Sequence, residues 1–199
     1  MVRVGISVEG ATEERFVKAV LGPYLSGRGI YLTPISMDGD VSVDKAKSEL
    51  QKMANSFDCV TTLYDFYGFK NKTLDDNKAS LERRLEDAVH DGVRSKLIPY
   101  IQMYEFEGIL FSCPDAMEQG LNEEGVKEWC QGVLNAFNGD PEAINNSRET
   151  APSKRLEKYT GYRKTTHGPN IAAQTGIEKI RESCTGFDEW LNKLEALAV

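Results

Sequence analysis

Two glutamates, Glu9 and Glu13, lie four positions apart where a strand-like segment gives way to a helix-like one. Apolar residues alternate with other types over residues 2–8, which predicts a β-strand, and they then recur at helical spacing over 16–21. With Thr12 as the N-cap, Glu13 lies in the first helical turn and its side chain points back towards Glu9. Carboxylates that converge at the end of a strand are oxygen ligands of the kind that Mg²⁺ and Mn²⁺ take. The simpler interpretation is that Glu13 only complements the helix dipole.

Further acidic residues follow two later strand-like segments. Asp65 comes directly after the β-rich run 59–64, and Glu105 and Glu107 follow the run 97–104. If the chain stays extended to Glu107, the two glutamates share one face. Ligands of open α/β sheets bind beyond the carboxyl ends of the strands, so we expect all these acids at one rim. Because like charges held together repel, such a cluster favours a bound cation.

The elements that must position these acids alternate between strand and helix in the first half of the chain. Strands are predicted at 2–8, 30–36, 59–64 and 97–104, with helices between them. This alternation is typical of an α/β fold with a mainly parallel sheet of four or slightly more strands, flanked by helices. We therefore expect a single domain over 1–199, composed of an α/β core at 1–106 and a C-terminal helical extension at 107–199.

The helical extension contains a segment, 139–168, that shows little periodicity and is predicted to be a loop rich in basic residues. Lys154, and as a second choice Lys164, are candidates to stabilise charge on a phosphate. Tyr159 and Tyr162 lie among the cations, as expected for base stacking beside phosphate contacts. The candidate nucleic-acid-binding residues are Arg155, Tyr162, Arg163, Lys164 and His167. The alternative is an ordinary solvated charged face.

Bulk composition narrows the classes of function. The formal net charge of −7 argues against a sequence-indifferent nucleic-acid binder, although a local basic patch is compatible with a nucleic-acid enzyme. The four cysteines are widely spaced and lack a CxxC motif, which argues against zinc and favours free thiols in a reducing cytosol. No signal peptide and no segment of membrane-spanning length is visible. We expect a cytoplasmic protein without membrane contact.

Several short segments together resemble the bacterial family catalogued as domain of unknown function 4276. They are VEGATE at 8–13, YDFYG at 64–68, EFE at 105–107, APSKRL at 151–156, YRK at 162–164 with HG at 167–168, and FDEWL at 187–191. The resemblance implies a Toprim-like fold, similar to the nuclease domain of OLD-type proteins, with phosphodiester chemistry that uses divalent metal. By this resemblance Glu9 is similar to the Toprim glutamate and Glu13 to the second acid of the OLD-type variant. Asp65 is similar to the first aspartate of an Asp-x-Asp motif whose second position is here Tyr67.

The residues and the resemblance together predict a nuclease that uses Mg²⁺ or Mn²⁺ and acts on DNA or RNA, in bacterial defence or repair. The expected catalytic residues are Glu9 and Lys154, and the expected metal ligands are Glu9, Glu13, Asp65, Glu105 and Glu107. Tyr67 in place of an aspartate favours an alternative, a weakly active or inactive partner module of an ATPase. A third possibility, phosphotransfer on a small nucleotide, is compatible with the same acidic site.

Overall fold

The computed structural model describes residues 1–198, and its centre is a parallel β-sheet. The strands are β1 (Val2–Val8), β2 (Ile30–Ser36), β3 (Cys59–Asp65), β4 (Leu97–Ile98) and β5 (Ile101–Gln102). Their order is β2-β1-β3-β4, and β5 also pairs with β3. All pairs are parallel. The predicted α/β fold, with a parallel sheet flanked by helices, is confirmed.

Eleven α-helices are found among residues 1–198, and six of them follow the last strand. They are α1 (Ala11–Phe16), α2 (Gly22–Ser26), α3 (Val43–Met53), α4 (Lys78–Ala88), α5 (Asp91–Arg94), α6 (Pro114–Leu121), α7 (Val126–Ala136), α8 (Pro152–Tyr159), α9 (Lys164–Thr175), α10 (Ile177–Ser183) and α11 (Thr185–Glu195). A π-helical turn, Val17–Leu21, joins α1 to α2. Short 3₁₀ helices cover Phe106–Ser112, Pro141–Ala143 and Arg148–Thr150.

Strand β3 lies in the middle of the sheet and every one of its residues is buried. Because side chains alternate along a strand, Cys59 and Leu63 enter the core that contains α1, α2 and the C-terminal helices. Val60 and Tyr64 instead enter the cores formed with α3, α4 and α5. The sheet is thus covered on both faces, which is the usual condition of parallel sheets.

The prediction of one continuous strand over 97–104 is wrong, because the strand is interrupted and ends before residue 104. Pro99 has no N–H to contribute to a ladder, and the strand divides there into β4 and β5. The Thr62 hydroxyl replaces the missing ladder by accepting from the Tyr100 N–H and donating to the Tyr100 carbonyl, each at 2.8 Å. Tyr104 has a φ of +56°, so the chain turns and Glu105 becomes the N-cap of the following 3₁₀ helix. Residues 104–107 are therefore not extended.

Two further local predictions need correction. The N-cap of α1 is Gly10, whose N–H donates to Glu13 Oε2 at 3.0 Å, and Thr12 lies inside the helix. The segment 139–168 is not a loop, since it contains all of α8 and the start of α9. Pro152 at the start of α8 is favourable because a first-turn residue needs no intrahelical N–H bond.

The C-terminal helices pack directly on the sheet. Trp190 of α11 stacks on Tyr100 with ring centroids 4.5 Å apart, and its indole N–H donates to Thr61 Oγ1 at 2.8 Å. Phe187, one helical turn earlier, packs edge-on against both rings. One hydrophobic core therefore joins the first and second halves of the chain. Within the described residues, none of the helices combines the length and the apolar character needed to cross a bilayer.

We expect Trp190→Ala to lower the free energy of unfolding by about 3–5 kcal/mol, because it leaves a large cavity beside Tyr100 and removes the bond to Thr61. Urea denaturation followed by circular dichroism measures this change. Leu74→Ala is the control, since Leu74 is fully exposed and its truncation should alter stability by less than about 0.5 kcal/mol. If Trp190→Ala lost as little stability as Leu74→Ala, the conclusion that Trp190 belongs to a core shared by both halves of the chain would be contradicted.

Candidate active site

A cavity of about 260 Å³ opens where β1 and β3 end, at the carboxyl edge of the sheet. Its lining combines acidic, basic and aromatic side chains with one glycine: Glu9, Asp65, Tyr67, Gly68, Glu105, Arg148, Lys154 and Lys164. The acids come from separate strand ends and the cations from the C-terminal half. The cavity is thus the meeting point of distant parts of the chain.

Glu9 directly follows β1 and is half-buried against the loop after β3. Its Oε2 accepts the Asp65 N–H at 3.2 Å. A side chain at Gly68 would overlap the Glu9 carboxylate and would force this carboxylate to move. Burial, followed by the nearby charge of Glu13, raises the pKa of Glu9 above its ordinary value.

Asp65 and Glu107 are both buried, with exposed fractions of 3% and 0%. Asp65 Oδ1 accepts the Phe106 N–H at 2.7 Å, and Glu107 Oε1 accepts the Tyr162 hydroxyl at 3.1 Å. Burial raises the pKa of both carboxyl groups, that of Glu107 to about 7. Each carboxylate is therefore held by a donor that a different chain segment supplies.

Lys164, the first residue of α9, places its ammonium between these two acids. Its Nζ lies 3.7 Å from Asp65 Oδ2 and 3.4 Å from Glu107 Oε2. Burial acts to lower the pKa of Lys164, but the charges of Asp65 and Glu107 outweigh it and the pKa is raised. With 40% of its side chain exposed, Lys164 stays charged and also faces the cavity.

The donor set fits a hard divalent cation in two respects. All five predicted acids lie in this region and offer carboxylate oxygens, the ligand type that Mg²⁺ and Mn²⁺ prefer. Glu13 Oε1 and Glu107 Oε2 are buried and have no hydrogen-bond partner, and a cation would compensate such oxygens. As they stand, however, no three Asp, Glu, His or Cys side chains of residues 1–198 are grouped closely enough to hold a metal ion. Backbone amides and Lys164 bind these carboxylates instead.

Glu105 is one of the carboxylates that a backbone amide binds. Its Oε2 accepts the Ser153 N–H at 2.8 Å, in the first turn of α8. The anion that meets the amides at this helix start is therefore a carboxylate of the protein itself. Lys154, in the same turn, lines the cavity and pairs with Glu157 at 2.7 Å.

The remaining basic candidates lie in different surroundings. Arg155 is turned inward, where its Nε donates to the Thr150 carbonyl at 2.6 Å and its guanidinium lies 5.2 Å from the Phe137 ring centroid. Arg163 is exposed, and its N–H donates to His167 Nδ1 at 3.1 Å. Arg155 and His167 thus make local contacts within the protein, whereas Arg163 faces solvent.

Tyr162 does not have the setting predicted for it. It is buried and its hydroxyl is bound to Glu107, so the interpretation of Tyr162 as a base-stacking residue is wrong. Its physical role here is to donate to a buried carboxylate, which lowers the cost of desolvating that charge.

Sequence reasoning missed Arg148, Tyr67 and Gly68 as lining residues of the cavity. Tyr67 and Gly68 belong to YDFYG at 64–68, the segment that contains Asp65. Their closeness to Asp65 in the sequence could therefore have identified them. Arg148 lies in a segment without periodicity, and only its charge distinguished it.

Glu107→Gln should reduce the dependence of stability on pH. Because the folded protein holds the Glu107 proton more tightly than the unfolded chain, the pKa rises from 4.5 to about 7 on folding. The wild-type free energy of unfolding therefore falls between about pH 4.5 and 7 as this carboxyl group loses its proton. Urea titrations across that window should show a shallower fall for Glu107→Gln and an unaltered fall for the exposed-site control Glu128→Gln. If the free energy of unfolding of the wild type and of Glu107→Gln depended on pH in the same way, the raised pKa of the buried Glu107 carboxyl group would be contradicted.

Comparison with solved structures finds chains of similar length with low sequence identity. The C-terminal region of the Burkholderia pseudomallei OLD protein is 20% identical, with a TM-score of 0.48, and the match covers 98% of this chain and 99% of that chain. The C-terminal region of the Xanthomonas campestris pv. campestris OLD protein, phased with mercury, is 12% identical, with a TM-score of 0.45 and coverages of 98% and 96%. No curated protein has a significant sequence match.

A protein-family comparison gives a match over nearly the whole chain. The family is described as Domain of unknown function (DUF4276), and its model matches residues 8–195. That range includes the strand end that carries Asp65, the 3₁₀ helix that contains Glu107, and the helix that begins with Lys164. The resemblance predicted from the sequence is confirmed: this chain belongs to the DUF4276 family.

Proposed function

We propose that this protein hydrolyses phosphodiester bonds of nucleic acid with the help of Mg²⁺ or Mn²⁺. The observation that carries the proposal is the convergence of Glu9, Asp65 and Glu105, from three strand ends, with cationic side chains around one cavity. An acidic cluster bordered by cations is suited to a phosphate group that is bound together with a metal ion.

Glu9, Asp65 and Glu105 line the cavity. Glu13 and Glu107 are buried, and each has a carboxylate oxygen without a hydrogen bond, although that of Glu107 is paired with Lys164. These five acids are the proposed metal ligands. A bound Mg²⁺ or Mn²⁺ would neutralise them, polarise a phosphodiester and make water more acidic.

The cations of the cavity have a separate task. Lys164, Lys154 and Arg148 point positive charge at the space in which a phosphate would lie. Since the pKa of Lys164 is raised by Asp65 and Glu107, its ammonium remains a hydrogen-bond donor at neutral pH. Lys164 is therefore our first candidate to stabilise negative charge that develops on the phosphate, and Lys154 is the second.

Glu9→Gln and Asp65→Asn should each lower the rate of nucleic-acid cleavage by at least about 100-fold, because each removes a proposed metal ligand. Both substitutions remove a charge and keep an oxygen that can accept the backbone N–H bound in the wild type. The assay incubates purified protein with single- and double-stranded DNA and RNA, with and without Mn²⁺ or Mg²⁺. Asp87→Asn and Glu128→Gln are the controls, since both residues are exposed and outside the cavity. Cleavage that persists in Glu9→Gln and Asp65→Asn would remove the proposed site.

Lys164→Met should separate the role of the lysine from that of the acids. We expect cleavage to fall by about 100-fold, as when a donor to a charged transition state is removed. Mn²⁺ should bind at least as tightly as in the wild type, because the variant lacks the ammonium that competes for Asp65 and Glu107. Isothermal titration with Mn²⁺ and single-turnover cleavage measure the two effects. If Lys164→Met weakens Mn²⁺ binding as much as Glu9→Gln does, the proposed division of roles is incorrect.

A second candidate function is a non-catalytic partner module of an ATPase. Two observations favour it: Lys164 already supplies a counter-charge to the buried acids, and Tyr67 lies where the resemblance expects an aspartate. Titration with Mn²⁺ distinguishes the two candidates, because the module requires no metal. Absence of binding at millimolar Mn²⁺ would favour the module over the hydrolase.

A further inference from the structure

Three aromatic side chains form a cluster next to the acidic cavity. The ring centroids of Tyr67 and Tyr104 are 5.4 Å apart, and Phe66 lies 6.2 Å from Tyr67 and 6.4 Å from Tyr104. All three residues are half-buried, so each ring is in contact with protein and partly with solvent. We call Phe66, Tyr67 and Tyr104 the aromatic platform. It is continuous with the cavity, since Tyr67 belongs to both.

The backbone and a neighbouring amide hold the platform in place. Tyr104 has a φ of +56°, a left-handed conformation that is uncommon for a residue other than glycine. Its carbonyl accepts the Tyr67 N–H at 2.9 Å, and Asn145 Nδ2 donates to the Tyr67 hydroxyl at 2.6 Å. Strained backbone persists where surrounding contacts fix it, and it concentrates at functional sites. Here it lies at Tyr104, whose ring packs against Phe66 and Tyr67 and which directly precedes Glu105 of the cavity.

Two cations lie against this platform. The Arg148 guanidinium carbon is 5.5 Å from the centroid of the Tyr67 ring, and Lys72 Nζ is 5.1 Å from that of Phe66. Arg148 also lines the acidic cavity. Aromatic faces next to cations are the combination with which proteins bind unpaired nucleotides, because the bases stack on the rings and the phosphates contact the cations.

We propose that the aromatic platform binds unpaired nucleotides, which makes single-stranded nucleic acid the substrate class of this protein. This inference rests on the proposed function, since it names the strand that reaches the acidic cavity. A base stacks on the platform while Arg148 and Lys72 contact neighbouring phosphates. Duplex DNA hides the faces of its bases within the stack, so it cannot make the same contact unless a nucleotide is unpaired.

The test is equilibrium binding without divalent ions, measured by fluorescence anisotropy in EDTA. The probes are a labelled thymidine strand of about 12 nucleotides, an abasic strand of equal length and the corresponding duplex. The variant is Tyr104→Asn, which removes the ring with a residue that tolerates positive φ. We expect it to weaken binding of the thymidine strand by about tenfold, with no effect on the abasic strand. The wild type should bind the thymidine strand more tightly than the duplex.

Two variants serve as controls. Tyr104→Phe keeps the ring and should bind the thymidine strand as the wild type does. Tyr31→Asn removes a tyrosine that is 48% exposed on β2, away from the cavity, and should also leave binding unaltered. Tighter wild-type binding of the duplex, equal losses of Tyr104→Asn for thymidine and abasic strands, or no binding of any probe would each overturn the proposed substrate class.

The outcome does not depend on hydrolysis, because the titration contains no metal ion. If stacking is observed but no strand is cleaved when Mn²⁺ or Mg²⁺ is added, the proposed hydrolysis fails and the binding of unpaired nucleotides stands. If cleavage occurs and depends on Glu9 but Tyr104→Asn has no effect on binding, only the role of the platform is wrong.

Discussion

Two buried carboxylates, those of Asp65 and Glu107, lie beside the ammonium of Lys164. Removing a carboxylate from water is costly unless hydrogen bonds and an opposite charge replace the lost hydration. The Phe106 N–H and the Tyr162 hydroxyl supply the hydrogen bonds, and Lys164 supplies the charge. The acids cannot be brought together as charged groups unless α9 docks with its first residue over them. Formation of the site and docking of α9 against α1 and α6 are therefore one event.

The C-terminal half of the chain completes both the core and the site. Helix α11 buries Trp190 against Tyr100 and Thr61, which fixes the C-terminal helices on one face of the sheet. Helix α8 presents the Ser153 amide to Glu105, and α9 presents Lys164. The strand ends contribute negative charge, and the helices contribute donors and positive charge. A sheet without these helices would have the acids but not their partners.

Periodicity was sufficient to predict β1, β2 and β3 and the rim to which Glu9 and Asp65 belong, because these follow from local patterning and from the general rule for open sheets. It failed where a contact between distant residues decides the outcome. Tyr162 donates to Glu107 across 55 positions of sequence, and nothing in the local pattern distinguishes it from an exposed tyrosine. Lys164 rather than Lys154 approaches the buried acids because α9 begins there, in a segment that was expected to be a loop.

The charge balance around the cavity also bears on how a nucleic acid would approach it. Five carboxylates, those of Glu9, Glu13, Asp65, Glu105 and Glu107, face Lys164, while Lys154 is already paired with Glu157. Burial above all, followed by neighbouring charges, raises the pKa of Glu9, Asp65 and Glu107, so each keeps its proton to a higher pH than a free carboxyl group does. A phosphate is repelled by the negative charge that remains, unless a divalent cation neutralises the acids. In the proposed function the metal is therefore needed for the phosphate to approach these acids as well as for its cleavage. In the proposed binding mode, Arg148 and the aromatic platform hold the neighbouring nucleotide without a metal ion, since they contact each other at Tyr67.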